Sequence, residues 1–376
     1  MLAPEHRISA LDQLDSKGIM HYLHIADVAK TLEKQDEEMQ MWRQTKSRNG
    51  KMVPFEDYPR YAEVDEYLEK IAADYSDIVT LVNAGSSYEN RPIKYLKLSS
   101  QITLHKSKPI YFMDAMIHAR EWVTTPVALY TIHRLVENLR DQDRDLLHDI
   151  DWIILPLVNP DGYEYSHTDF RLWRRTRSIG SALNSTCIGV DANRNFDVEF
   201  NTVGVGLPCS DTFPGSEPFS EPETAIIRDV MAEHDGRIQL YMNIHSHGNW
   251  ILYGFGNRTL PSNAVHLHHV AASMGAAMDA LKLPAAGFYK VGNSALILYQ
   301  TSGSAQDYGQ AVGIPFSYTL ELPGYGWAFQ VPPQFIEHIN AETWEGIAVT
   351  ARLARSYYRQ RDNFLRGSSI ATDVRS

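Results

Sequence analysis

His118 and Glu121 stand three residues apart in His118-Ala119-Arg120-Glu121, directly after the apolar run Pro109 to Ala115. His245 lies in Asn243-Ile244-His245-Ser246-His247, directly after Ile238 to Met242. Each group falls where a buried strand gives way to a loop, the edge at which open α/β sheets bind ligands. Two imidazoles and one carboxylate are a common ligand set for catalytic zinc, with a fourth position left to water, whereas a structural zinc is usually closed by thiolates. The chain has only two cysteines. Glu321 ends the apolar run Phe316 to Leu320, and an acid there is either a satisfied ion pair or a functional base. The His-x-x-Glu spacing alone is weak, because a lone histidine is more often a hydrogen-bonded surface residue.

Two polar clusters add context. Asp191-Ala192-Asn193-Arg194-Asn195 is too densely polar for an ordinary helix face. Arg171-Leu172-Trp173-Arg174-Arg175-Thr176-Arg177 gathers guanidinium groups. Such groups form bidentate pairs with carboxylates. Near a metal they would point to an anionic substrate group; on composition alone a solvated basic loop is the commoner case.

The elements that must position these residues alternate. Val64, Leu68, Ile71 and Tyr75 recur at helical spacing. Val79 to Val82, Ile93 to Leu98, Ile110 to Ala115, Trp152 to Val158 and Pro315 to Leu322 read as strands. Trp122 to Leu139, Pro222 to Glu233, Val265 to Leu281 and Glu337 to Tyr358 read as helices. The fold class expected is α/β, a mixed central sheet flanked by helices on both faces. Residues 1–51 differ from the rest. Ala10 to Leu14 starts a helix, Gly18 to Ile25 reads as a turn and a strand, and Asp27 caps a helix through about Met41. Lys46, Arg48 and Lys51 with Asn49-Gly50 form a basic, turn-prone hinge. The tail after Asn363 is polar and expected to fray.

Of the 376 residues, 44% are hydrophobic and 22% charged, and the formal net charge is −11. The acidic balance argues against a nucleic acid partner, which needs a basic surface. No apolar run is long enough to span a membrane. The first residues lack the apolar core of a signal peptide. A single bridge between Cys187 and Cys209 and two buried thiols are equally compatible with composition. Asn184-Ser185-Thr186 is a glycosylation acceptor if the chain is secreted.

Across residues 55 to about 358 these segments resemble the pancreatic-type zinc carboxypeptidases, the A/B group. His118 to Trp122, Asn159-Pro160-Asp161-Gly162-Tyr163, Arg171 to Arg174, Asp191 to Asn195, Ile244-His245-Ser246 and Thr319 to Leu322 fall in that family's order. Leu11 to Glu38 resembles the second half of the family's activation domain. The resemblance implies residues 1–51 as a partial activation domain (itself α+β) with a cleavable linker, 52–360 as the catalytic domain and 361–376 as a polar tail. It implies one Zn2+ held by His118, Glu121 and His245, with Glu321 as general base and Arg174 steadying the oxyanion. Arg194 and Asn193 would grip a peptide's terminal carboxylate, aided by Tyr299. Arg120 would belong to the substrate path, and Phe329 would line its groove. Cys187 and Cys209 align with a family disulfide. The partners implied are peptide C-termini and an activating trypsin-like protease cutting near Arg43 to Lys51. Nucleic acid and membrane are not implied, and a secreted monomer is expected.

In the family's pattern Gln306 sets the base of the side-chain pocket. It is neutral, and desolvating an ion without a partner is costly. Neutral C-terminal residues, apolar or amide-bearing, are therefore expected. Ser294 replaces a bulkier wall residue, Ser304 stands where glycine is usual, and His247 where tyrosine is frequent. Broad or basic specificity, and a silent binder of peptide ends, are the alternatives. Loss of a metal ligand or of the base usually marks such a binder, and all four residues stand here.

Overall fold

The computed structural model describes residues 4–21, 23, 25–49, 53–101, 108–179 and 187–373, except the side chains of 4, 47–49 and 362–373. Asn184-Ser185-Thr186, Gly50 and Lys51 lie outside the described residues. Among the described residues eight strands form one mixed sheet: β1 (Val79–Ser86), β2 (Pro92–Leu98), β3 (Ile110–Ala115), β4 (Asp151–Leu155), β5 (Ile238–Ser246), β6 (Trp250–Tyr253), β7 (Lys290–Asn293) and β8 (Phe316–Leu322). Their order across the sheet is β1-β2-β4-β3-β5-β8-β6-β7. The centre is parallel, with β3 beside β4 and β5, and β5 beside β8. The flanking pairs β1/β2, β2/β4 and β6/β8 are antiparallel.

The helices are α1 (Arg7–Ser16), α2 (Val28–Asn49), α3 (Tyr61–Asp74), α4 (Thr124–Val136), α5 (Arg144–His148), α6 (Pro160–Thr168), α7 (Pro222–Glu233), α8 (Ala264–Asp279), α9 (Ser294–Ile297), α10 (Ala305–Ala311) and α11 (Ile336–Asp373). Successive strand side chains point to opposite faces. Tyr111 and Met113 of β3 therefore pack with α4, α8 and α11, and Ile110 and Phe112 with α7 and the Ala192 to Phe196 segment. Every residue of β3 and β5 is buried. This two-sided cover explains why these strands read as continuous apolar runs.

The expected α/β sheet is present, and the N-terminal segment departs from its reading. Among the described residues no strand occurs at 19–25, because a strand needs a ladder partner and none lies alongside. Asp27 does cap α2, its Oδ1 accepting the Lys30 N–H at 3.1 Å, but the helix runs to Asn49 across the expected hinge. Lys46 pairs with Glu56 at 3.3 Å and the Trp42 indole donates to the Glu56 carbonyl at 3.0 Å, so this stretch docks on the main body. α11 continues helical to Asp373, with no proline to end it. Cys187 and Cys209 are bridged. Closing a loop of that length contributes about 3 kcal/mol, and the loop carries Asp191 to Arg194.

Candidate metal centre and substrate cleft

Because β3, β5 and β8 run parallel, their C-terminal ends reach the same edge of the sheet. His118 and Glu121 follow β3, His245 is the penultimate residue of β5, and Glu321 is its direct register partner on β8. After β3 the chain turns sharply at Met116, which has φ 61° and donates its N–H to Thr124 Oγ1 at 3.1 Å. That turn sets His118 and Glu121 on a short arc before α4.

The three residues offer ligand atoms that all lie within 4.8 Å of one another. His118 Nδ1 is 2.8 Å from Glu121 Oε1, and His245 Nδ1 is 3.0 Å from Glu121 Oε2. Ser246 N–H donates to the same Oε2 at 3.1 Å and steadies the carboxylate. Burial works to raise the Glu121 carboxyl, but the flanking His118 and His245 hold it well below the usual range. Burial, then Arg174, pushes His118 below the ordinary histidine value. An ionised carboxylate and a neutral imidazole are the forms a metal requires.

The distal nitrogens are equally constrained. His118 Nε2 lies 3.0 Å from Asp191 Oδ1, and His245 Nε2 contacts Asn243 Oδ1. Metal-binding histidines commonly donate their other N–H to such acceptors, which fixes the tautomer. Both Nδ1 lone pairs then converge on one point. The residues thus fit a zinc ion with three protein ligands and an open position.

Asp191 is fully buried and accepts four donors. Oδ1 takes His118 and the Asn193 N–H at 3.0 Å; Oδ2 takes Arg174 Nε and Nη2 at 3.1 and 2.8 Å. Burial acts to raise its carboxyl, and Arg174 with Arg194 outweighs that and holds it well below the ordinary range. Arg174 reaches Glu121 Oε1 at 3.9 Å and is kept charged. Of the other arginines in its cluster, Arg171, Arg175 and Arg177, none lines the cleft that holds the metal-ligand set. Arg171 donates to the Arg120 and Phe329 carbonyls at 2.9 and 2.5 Å and lies 3.6 Å over Trp122. Arg175 donates to Pro208 O at 2.8 Å, and Arg177 lies 3.7 Å over Tyr165. These arginines are neither a solvated loop nor a second clamp; carbonyls and aromatic faces absorb them.

His118, Glu121, Arg174, Asn193, Arg194, His245, Tyr299, Gln306 and Glu321 line a single cleft. Arg194 is anchored through Nε to Gly204 O at 3.1 Å and through Nη1 to Asn193 O at 2.8 Å. Asn193 Oδ1 takes the Ala305 N–H at 2.8 Å. Tyr299 is exposed at the rim. The Glu321 carboxylate accepts no hydrogen bond among the described residues, and burial, partly offset by His245, raises it to about 7. Arg120 and Phe329 stand together outside this lining, the guanidinium 4.6 Å over the ring, with His247 at 5.0 Å from the same ring.

Sequence reasoning assigned no role to Asn243 or Asp114, and none to Asp191 beyond its motif. Asn243 Nδ2 and Tyr241 OH both donate to Asp114. The readable signal was alternation: Tyr241, Asn243 and His245 share one face of β5, and Asp114 is the β3 register partner of Asn243.

A profile of the zinc carboxypeptidases matches residues 64–346. Over 96% of the chain it is 42% identical to a carboxypeptidase B of Helicoverpa zea, covering 86% of that protein. Over 92% it is 36% identical to a carboxypeptidase A2 of Rattus norvegicus, covering 81% of it. The solved carboxypeptidase A of Helicoverpa armigera superposes with a TM-score of 0.89 at 42% identity, over 94% of this chain and 88% of that one. Matched by the family profile and by these relatives over most of its length, the chain belongs to the zinc carboxypeptidase family, whose members are hydrolases of peptide bonds.

Proposed function

We propose that this C-terminal exopeptidase works with Glu321 as general base, Arg174 as electrophilic partner and Arg194 with Asn193 as the carboxylate clamp, and that it favours neutral C-terminal side chains. Zinc bound by His118, Glu121 and His245 supplies Lewis acidity and a water of lowered pKa. Arg194, aided by Asn193 and Tyr299, holds the substrate's terminal carboxylate. An internal peptide bond brings no charge to that clamp, so only the last residue is presented. Arg174, oriented by two bonds from Asp191, faces the scissile carbonyl oxygen as negative charge develops there. Glu321 takes a proton from the attacking water and returns it to the leaving amine. Arg120 and Phe329 border the path of the preceding residues.

The observation that carries this reading is the register pairing of His245 with Glu321. It sets an unbonded carboxylate beside the ligand set, in the cleft that Arg174 and Arg194 also line. The expected outcome for Glu321→Gln is unchanged zinc content with turnover of a blocked dipeptide reduced about 100- to 10,000-fold. Turnover near that of the parent would remove Glu321 from the mechanism.

Residues 1–51 are proposed to act as an activation segment. Gln35 of α2 accepts from Arg171 at 3.2 Å, and Arg43 pairs with the buried Asp57, which docks α2 against the residues next to the cleft. A trypsin-like protease cutting near Arg43 to Lys51 would release it. Secretion fits the Cys187–Cys209 bridge, since disulfides persist in oxidising compartments. No helix among the described residues is long and apolar enough to cross a membrane. A monomer acting on peptide and protein C-termini completes the proposal.

A further inference from the structure

The recess that holds the clamp residues is the same one lined by Leu252, Ser294, Leu298, Thr301, Gln306 and Thr319. Two of its polar atoms are buried without any hydrogen-bond partner among the described residues: Gln306 Oε1 and Ser294 Oγ. Gln306 is 3% exposed and Ser294 5%. Buried polar groups are nearly always paired, and an orphan carries its full desolvation cost. Two orphans in one recess are therefore groups waiting for a ligand.

The chemistry of that ligand follows from which atoms are orphaned. Gln306 Nε2 lies 3.5 Å from Asp307 Oδ1, so the carboxylate turns the amide to present N–H toward it. Asp307 Oδ2 in turn accepts the Gly256 N–H at 2.7 Å. A Cβ at position 256 would lie 2.4 Å from Thr301 O and 3.1 Å from that Oδ2, so glycine permits this close approach. One of its two N–H donors is engaged in this way, and it is the carbonyl oxygen of the Gln306 amide that is left without any partner. Ser294 begins α9, where the Asn293 side chain already takes the Ala295 N–H at 3.1 Å. The serine hydroxyl is thus spared from capping and free to donate.

We infer that the recess is built to receive a side-chain carboxamide, so that the chain prefers peptides ending in glutamine or asparagine over apolar ends of the same size. A carboxamide has two N–H donors and one acceptor; its N–H would meet Gln306 Oε1 and its oxygen the Ser294 hydroxyl. An apolar end leaves both orphans buried. A carboxylate end has no donor to give Gln306 Oε1 and sets acceptor against acceptor there. An ammonium end has three donors and no acceptor, so it leaves the Ser294 hydroxyl without a partner and must shed its hydration to enter. The inference rests on the clamp reading above, which places the last side chain in this recess.

The test uses the zinc-loaded chain after limited trypsin treatment and product-type ligands, read by calorimetry. N-benzoylglutamine should bind about 10- to 100-fold more tightly than the near-isosteric N-benzoylmethionine, and more tightly than N-benzoyllysine or N-benzoylglutamate. Gln306→Leu should abolish or invert the glutamine-to-methionine ratio. Ser294→Ala, which changes volume little, should lower it and serves if the first variant does not fold. Equal or tighter binding of methionine, lysine or glutamate by the parent overturns the inference, as does an unchanged ratio in the Ser294 variant. Binding is read without turnover, so failure to hydrolyse benzoylglycylglutamine would count against the peptidase mechanism while the affinity ratio still decides the recess.

Discussion

His118 and His245 face each other through their Nδ1 atoms, 3.1 Å apart. Two lone pairs at that distance repel unless a cation lies between them. Asp191 and Asn243 keep the opposite nitrogens occupied and so hold both rings in this orientation.

Asp191→Asn should weaken zinc binding about 10- to 100-fold, as loss of a histidine's outer partner typically does. Competition with a chromophoric chelator measures it. An affinity equal to the parent's would mean that the His118 tautomer is set elsewhere. Removing zinc from the parent with a chelator should abolish hydrolysis, and adding it back should restore it.

Arg174→Ala should lower kcat about 100- to 1000-fold, the usual cost of losing one donor to the developing oxyanion, with little change in KM. Steady-state kinetics on a blocked dipeptide decides. A rise in KM at constant kcat would instead assign Arg174 to ground-state binding.

Glu223 on α7 is fully buried, with neither oxygen hydrogen-bonded among the described residues. Burial, then the neighbouring Glu221, raises its carboxyl well above the ordinary value of 4.5. A group raised in the fold contributes stability that is present below its unfolded pKa and is lost as pH rises through the folded one. Glu223→Gln removes that loss. The variant should melt close to the parent at pH 4 and above it at pH 8. Parallel melting curves at both values would show that Glu223 ionises freely in the fold.

Limited trypsin digestion should raise turnover as the N-terminal segment leaves. Mass spectrometry locates the cut, and activity is followed in the same samples. Arg43 is held by Asp57 and by the Tyr58 carbonyl at 3.1 Å, and Lys46 by Glu56 at 3.3 Å, so cleavage at both should be slow while α2 stays docked. Full activity before any cut would reject the role of α2 as a cap.

The catalytic half of the fold was legible because it repeats simple periods. β3 and β5 are apolar along their whole length, as strands covered on both faces must be, and α7 matched its reading from Pro222 to Glu233. The short strands β6 and β7 were not read. Each has only four residues, too few for a period to stand out, and their pairing is decided by partners distant in sequence. The N-terminal segment misled for a related reason. Ile19 and Met20 look like part of a strand, but a strand exists only where a neighbour takes up its hydrogen bonds.

The sequence alone determined which residue types were on hand: two histidines and a glutamate at strand ends, an acid closing β8, and a neutral Gln306. It could do so because side-chain chemistry and strand periodicity are local properties. Only the tertiary structure decided that parallel β3, β5 and β8 bring those ends to one edge, and that Arg174 alone of its cluster turns toward the metal ligands. It also decided that Asp191 ties Arg174 to His118, and that the oxygens of Gln306 and Ser294 are left unpaired in one recess. Those outcomes depend on distances between segments far apart in the chain, which only packing can set.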